Sequence, residues 1–473
     1  MINCAQKYSL IFITEVQARS RFKSITSPSQ EAVLAISSKI ISIHLYRPPK
    51  RTCPFVTHYR PKKPFHALHL YIIIIKTITI MKKIKKPLLI TVTTLLTLIS
   101  VLYFALPQVF AQKIKVYEGS KNFIWSRPAL DTTKKTVIIV ADNDGTEMFD
   151  LMAPFYLFNA TEKANVFVVS EKRAPILLVN SLFILPHYSF SEIDSLHISP
   201  DVIVIPNMTV HLTTPPKPST VNWIKKQYNS SNIMLSICDG SATAAATGLY
   251  DGKPITTHAT DYKTLQKLFP KADWVRNVSV TQHGNLYSTA GVSNAVEGCL
   301  TVIKRLFGEQ TMQAVLHHVA YPHDDVTVRH ESQVVSNGAI IKIASKMLFK
   351  KNYNIGVLLT DSINEFELAS VLDTYVRSFP KSINSFSKNG ASVSSKYGLT
   401  LYPTGDAKDE VNELHILRQN ISDMTEQESF TQAQIINYES SSNRYPIEQC
   451  LERIANLYGS SFKNCVKLML DYN

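Results

Sequence analysis

The sequence predicts an α/β protein: a doubly wound, mainly parallel sheet with helices on both faces, followed by a degenerate second copy. Three observations predict it. Short apolar runs alternate with helix-period segments from residue 136 onward. Those runs are continuous rather than alternating, as in strands buried on both faces. The second half then repeats the order of landmarks in the first.

Residues 1–80 hold 12 Lys or Arg against 2 Glu, with no Gly and no Asp. They show no sustained period and are expected to be an extension without a fold, translation starting at Met81. Met81 opens Lys82-Lys83-Ile84-Lys85-Lys86, and Pro87 to Leu106 follows without a charge. A basic segment before an apolar core reads as a signal peptide, and Val109-Phe110-Ala111 suits cleavage. The apolar run is also long enough to span a bilayer. The lysines would then leave the bulk of the chain outside the cytoplasm. Residues 81–111 are therefore expected to be a signal peptide or a membrane anchor through 87–106. The protein would be secreted or held at the cell membrane.

The formal charge of +13 belongs to these segments, since residues 112–473 carry about −1. That excludes a basic nucleic-acid surface as the reason for the high pI. After the leader only Cys238, Cys299, Cys450 and Cys465 remain, too few for a disulfide framework.

Residues 112–135 are polar and read as a linker. Thr136–Ala141 is a short apolar strand ending in the turn signal Asp142-Asn143-Asp144-Gly145. Glu147 to Asn159 has helical spacing. Asn165–Val169 and Asp201–Pro206 are further strands, Ser219 to Tyr228 a helix, and Asn232–Ile237 a fourth strand. Val278–Thr289 reads as a hairpin around His283-Gly284-Asn285, and Asn294 to Phe307 as an amphipathic helix. Residues 331–352 read as a second linker.

The stretch Val137–Pro186 can be laid on Asn354–Pro403 without a gap. Phe149 then meets Phe366, and Asp150 meets Glu367. Near the ends of the copies the offset is shorter, and Cys299-Leu300 meets Cys450-Leu451. The second copy, 353–473, has thus lost part of its middle, the stretch that holds Cys238 in the first. Cys299 and Cys450 are expected to be packing residues.

Ser236-Ile237-Cys238-Asp239-Gly240-Ser241 falls where the fourth strand stops and a small-residue helix begins. A cysteine on such a junction is lifted out of the sheet on a sharp turn. Its sulfur then lies over a helix N-terminus, which favours the thiolate. The layout is a nucleophile elbow with Cys in place of Ser. The alternative is a buried cysteine that packs as a small hydrophobe.

Ile237-Cys238-Asp239-Gly240 resembles the nucleophile motif of the ThiJ/PfpI superfamily, within the class I glutamine amidotransferase-like fold. Gly248-Leu249-Tyr250-Asp251-Gly252 with Thr256-Thr257-His258 resembles its "GLLDG…TTH" segment. Ser288-Thr289-Ala290-Gly291-Val292-Ser293 resembles its "TSAGVS" turn, and Glu147 with Asp150, Ala153, Pro154 and Phe158 its first-helix motif. The likeness spans about 136–320 and is nearest to amidase-like domains of AraC-type regulators and to isocyanide hydratase-like enzymes. It implies a flavodoxin-like sandwich. It implies a catalytic set of Cys238, His258 and Glu147, with an oxyanion hole from the backbone N–H groups of Asp239 and Gly240. It also implies dimerisation, which a second copy in cis could replace with an intrachain pseudo-dimer. Neither a cofactor nor a metal is implied, and His317, His318 and His323 read as surface residues.

The function expected is thiol-dependent hydrolase, hydratase or lyase chemistry on a small carbonyl, amide or nitrile-like substrate. The alternative is a ligand-binding or redox-sensing domain without a helix-turn-helix. Asp239 departs from the family pattern. A carboxylate beside the thiol opposes the thiolate, leaving the site weakened, retuned or inactive.

Overall fold

Strand Lys135–Ala141 lies inside a seven-stranded sheet. In spatial order the strands are Val280–His283, Leu286–Thr289, Ile233–Ser236, Val202–Ile205, Lys135–Ala141, Ala164–Ser170 and Tyr188–Ser189. All neighbours are parallel except the edge hairpin Val280–His283 with Leu286–Thr289. The fold is thus mixed α/β with a mostly parallel sheet. The computed structural model describes residues 114–472, apart from 120–122, 124, 126, 180, 209–214, 327–328, 407, 418–429 and 439–443. The expected extension, 1–80, and the expected signal or anchor, 81–111, lie outside the described residues. Among the described residues no helix is long and apolar enough to cross a membrane.

The parallel strands are apolar throughout because both faces are covered. Ile138, Ile203 and Met234 are fully buried on neighbouring strands. Each such side chain contributes about 1.5–3 kcal/mol relative to exposure. The helix Met148–Asn159 is buried at every residue from Met148 to Phe158. An ordinary surface helix keeps one polar face. Here the outer face is covered by the helix Glu365–Val376 of the second half.

The second half forms its own sheet in the order Ser382–Phe386, Asn354–Leu358, Glu413–Ile416, Gln434–Asn437, all parallel. Helix Glu365–Val376 is the counterpart of Met148–Asn159 in the repeat, and helix Pro446–Tyr458 the counterpart of Ala295–Phe307. Helices Met148–Asn159 and Glu365–Val376 pack on one another. The Phe149 and Phe366 rings lie 5.4 Å apart. Ile184 pairs with Leu401, its own counterpart in the repeat, across an antiparallel four-stranded sheet to which both halves contribute.

Residues 331–352, expected as a linker, contain the helix Asn337–Phe349, capped by Ser336 Oγ accepting from Ala339 N–H at 3.2 Å. Its Ala339 and Ile343 are buried. Packing against the last helix, Ser460–Leu470, stabilises a segment that composition alone leaves open.

Candidate active site

Cys238 leaves the strand Ile233–Ser236 with φ +54° and precedes the helix Gly240–Ala246. A left-handed backbone costs a residue with a Cβ about 1–2 kcal/mol. Hydrogen bonds to neighbouring segments hold the turn. Ile237 N–H donates to Ile205 O at 2.9 Å, Cys238 N–H to Ala290 O at 3.1 Å, and Thr257 Oγ1 to Cys238 O at 3.2 Å. Cys238 is 3% exposed. Burial, with Asp150, Asp239 and Glu147 nearby, pushes its thiol well above the ordinary value, and the Asp239 N–H partly opposes this.

Gly240 has a different part from the one expected. Its N–H donates to Ile237 O at 2.9 Å, so it is spent inside the turn and not offered to an oxyanion. What the position needs is the missing side chain: a Cβ there would lie 2.1 Å from Ile205 O and 2.7 Å from Pro206 O. The elbow can sit this close to the neighbouring strand only with glycine. The donor left beside the sulfur is Asp239 N–H.

The Asp239 carboxyl is 2% exposed and accepts from Thr257 Oγ1 at 2.8 Å. Burial, and then the Asp261 carboxylate, push it well up from its ordinary range. A protonated Asp239 adds no negative charge beside the thiol. This moderates the electrostatic conflict expected from its position.

Glu147 is the N-cap of the helix Met148–Asn159. Its Oε2 accepts from Asp150 N–H at 2.7 Å, and its Oε1 from Arg377 Nη2 at 3.0 Å. Burial and the Asp150 charge raise it to about 7 despite Arg377. Both oxygens thus have structural partners. Asp150, one turn on, differs. Oδ2 accepts from Asn207 N–H at 3.1 Å, while Oδ1 is buried with no hydrogen-bond partner among the described residues. Burial is the main cause of its rise to about 8, and among nearby charges Asp150 acts most strongly on the Cys238 thiol. Asp150 thus has a free acceptor oxygen among the described residues, and its charge bears on the Cys238 thiol. The sequence shows Asp150 as a member of the first-helix motif, three residues past Glu147 and on the same helix face, but its expected catalytic set did not include it.

His258 is buried beside the elbow, but its nitrogens are engaged elsewhere. Nδ1 accepts from Thr260 N–H at 3.2 Å and lies 2.6 Å from Thr260 Oγ1, and Nε2 lies 3.3 Å from Met469 O. Nε2 therefore holds the proton and donates it to Met469 O. Burial lowers the ring below its ordinary value and keeps it neutral. The structure brings His258 to the site as a neutral, anchored ring.

The second half closes the site. Arg377 donates through Nη2 to Glu147, pairs through Nη1 with Asp373, and donates through Nε to Met469 O at 3.1 Å. Met469 O thus takes both Arg377 and His258. Nothing in the sequence pattern of the second copy marked Arg377, Asp373, Met469 or Asp471 as site residues. Among the described residues no cluster of three or more His, Cys, Asp or Glu is placed to hold a metal ion. His318 lies against Tyr156, its Nε2 2.8 Å from the phenol oxygen. Cys299 and Cys450 are fully buried free thiols.

A strand-to-helix elbow that carries a buried cysteine, with a first-helix carboxyl beside it, defines a thiol site on a flavodoxin-like sheet. Residues 134–305 are a DJ-1/PfpI family domain, of the ThiJ/PfpI superfamily. An isonitrile hydratase of Pseudomonas putida is 26% identical over 177 residues, covering 37% of this chain and 74% of that protein. Among solved structures, Drosophila melanogaster DJ-1beta is 20% identical, covers 39% of this chain and 97% of its own, and has a TM-score of 0.36. A THiJ/PfpI family protein from Pseudomonas syringae is 18% identical, with 42% and 83% covered and a TM-score of 0.36.

Proposed function

We propose that residues 134–305 carry a cysteine-dependent hydratase or hydrolase for a small substrate with an electrophilic carbon: isonitrile, nitrile, amide or carbonyl. The observation that carries this is the Cys238 thiol on a strained elbow, acted on by the charge of Asp150, whose Oδ1 has no hydrogen-bond partner among the described residues. In the hydratase form, Sγ bonds to the isonitrile carbon and the thiol proton passes through Asp150 to that carbon. Water then adds to the carbon and the C–S bond breaks. Of the two water protons one goes to the nitrogen and the other returns to the sulfur, the oxygen stays on the carbon as a formamide C=O, and the net change is one added water. Asp239 N–H is placed to stabilise charge as the adduct forms, and Asp150 supplies acid–base work near its raised pKa.

The test offers the purified protein an alkyl isonitrile, an alkyl nitrile and a short amide. Product is followed together with the mass of the Cys238 peptide. Turnover with a transient adduct, lost in Cys238→Ser, supports the proposal. No adduct with any of the three removes it. A second reading, a ligand-binding or redox-sensing domain without turnover, is favoured by the 3% exposure of Cys238. Stoichiometric oxidation of Cys238 by peroxide without turnover would select it.

The proposal includes export or membrane anchoring, supported by Lys82 to Lys86 ahead of the uncharged run 87–106. Recovery of the full-length chain in the cytosolic fraction would count against it. It also includes an intrachain pseudo-dimer, supported by Phe149 meeting Phe366 and Ile184 meeting Leu401. Sedimentation as a monomer is then expected.

A further inference from the structure

A carboxylate from the second half sits among the site loops of the first. Asp471 Oδ2 accepts from Gly291 N–H at 2.8 Å and from Ala259 N–H at 3.3 Å. Its Oδ1 lies 3.5 Å from His330 Nε2. Its backbone oxygen accepts from Ser293 Oγ at 3.2 Å and Asn294 Nδ2 at 2.9 Å. Asp471 is 5% exposed and has φ +52°, a setting disfavoured for a residue with a Cβ. Gly291 makes the room: a Cβ there would stand 2.3 Å from Asp471 Cβ and 2.5 Å from His258 Cδ2.

One peptide group joins this carboxylate to the nucleophile. The Ala290–Gly291 N–H bonds Asp471, and its C=O accepts Cys238 N–H. On its other side Asp471 walls an open cavity of about 470 Å³, shared with Arg329, Lys467 and Tyr472. The Cys238 thiol, 3% exposed, is closed to any substrate unless a group moves. Asp471 follows the end of the last helix, Ser460–Leu470, on a strained backbone, and the space outside it is lined by Lys467 and by Arg329, which is paired with Glu331 at 2.8 Å.

We propose that Gly291 N–H, Ala259 N–H and His330 form a binding site for a small carboxylate, filled at rest by Asp471, and that Cys238 is reached more readily when this site is vacant than when it is filled. This deepens the reading of the same site and rests on the Cys238 thiol, not on turnover. Two converging backbone donors beside an imidazole suit a carboxylate. A substrate or effector carrying one would bind where Asp471 now sits.

The test uses the full chain and Asp471→Gly, which keeps the left-handed backbone without strain. Cys238 alkylation is read by peptide mass in formate and in chloride at equal ionic strength, with melting temperature alongside. Alkylation in chloride should be about tenfold faster in the variant, reflecting a larger open population. Formate should return it toward the parental rate and raise the variant's melting temperature, with no such effect on the parent. An unchanged rate in a variant that melts like the parent overturns the proposal, as does formate acting no differently from chloride. Should the glycine variant not fold, Asp471→Asn keeps the shape and is read for rate alone: faster alkylation supports the site and an unchanged rate overturns it. Turnover is not read, so failure of the hydratase reading and failure of this site remain separate outcomes.

Discussion

Arg377 reaches across the boundary between the halves and donates to Glu147 Oε1 at 3.0 Å, with both side chains less than a tenth exposed. The same guanidinium pairs with Asp373, so one buried cation serves two buried carboxyls. Removing one partner of such a set leaves the rest without compensation. Arg377→Met is expected to destabilise the protein by about 3–5 kcal/mol in urea unfolding. Arg377→Lys should recover only part of this, because an ammonium cannot span both carboxyls and Met469 O. An Arg377→Met protein as stable as the parent would show that the contact contributes nothing.

Gly240→Ala tests the steric reading of the elbow. The added Cβ would meet the backbone oxygens Ile205 O and Pro206 O, which cannot rotate away as a side chain could. A loss of about 1–3 kcal/mol or more is expected from overpacking, with faster alkylation of Cys238 as the turn loosens. A neutral effect on both readings would mean that the strands part at little cost.

Stability should fall as pH rises from about 6.5 to 8. Glu147 and Glu297 are raised from 4.5 to about 7 and Asp150 from 3.8 to about 8, burial being the largest cause each time. A carboxyl raised in the folded state holds a proton that the unfolded chain has released. Its contribution is full below the unfolded value and is lost as pH climbs through the folded one, by at most about 1.4 kcal/mol per pH unit for each group. Below about pH 6.5 the buried histidines His187, His258, His330 and His415, all held under their ordinary value, act in the opposite direction. Melting temperature against pH should show the decline, and Asp150→Asn should flatten it.

Thiol reactivity separates the two acids beside Cys238. Each, when ionised, raises the thiol. Asp239→Ala and Asp150→Asn should both lower the pH at which Cys238 is alkylated. Only Asp150→Asn should also abolish turnover, since it removes the proton carrier. If Asp239→Ala loses turnover as fully as Asp150→Asn, the Asp239 carboxyl has a direct part.

Much of the fold was legible because local patterns coincide with buried elements. The apolar runs near residues 138, 167, 203 and 234 are strands, since parallel strands covered on both faces must be apolar throughout. Cys238 was legible because a strand end, a cysteine and a small-residue helix in succession admit few backbone paths. Gly240 was singled out for the wrong chemistry. A glycine after a nucleophile looks like an exposed N–H donor, and only coordinates reveal a carbonyl 2.1 Å from its absent Cβ. The linker 331–352 concealed a helix, because its stability comes from contacts with a helix far along the chain.

By itself the sequence determined the alternation of strands and helices, the elbow, the superfamily likeness and the order of the repeated landmarks. Each follows from short-range spacing that one segment carries alone. Tertiary structure decided that both oxygens of Glu147 and both His258 nitrogens are engaged, and that Arg377, Met469 and Asp471 from the second half contact the first half's site. Those depend on distances between segments remote in the chain. Side-chain direction and burial set them, and no local period encodes either.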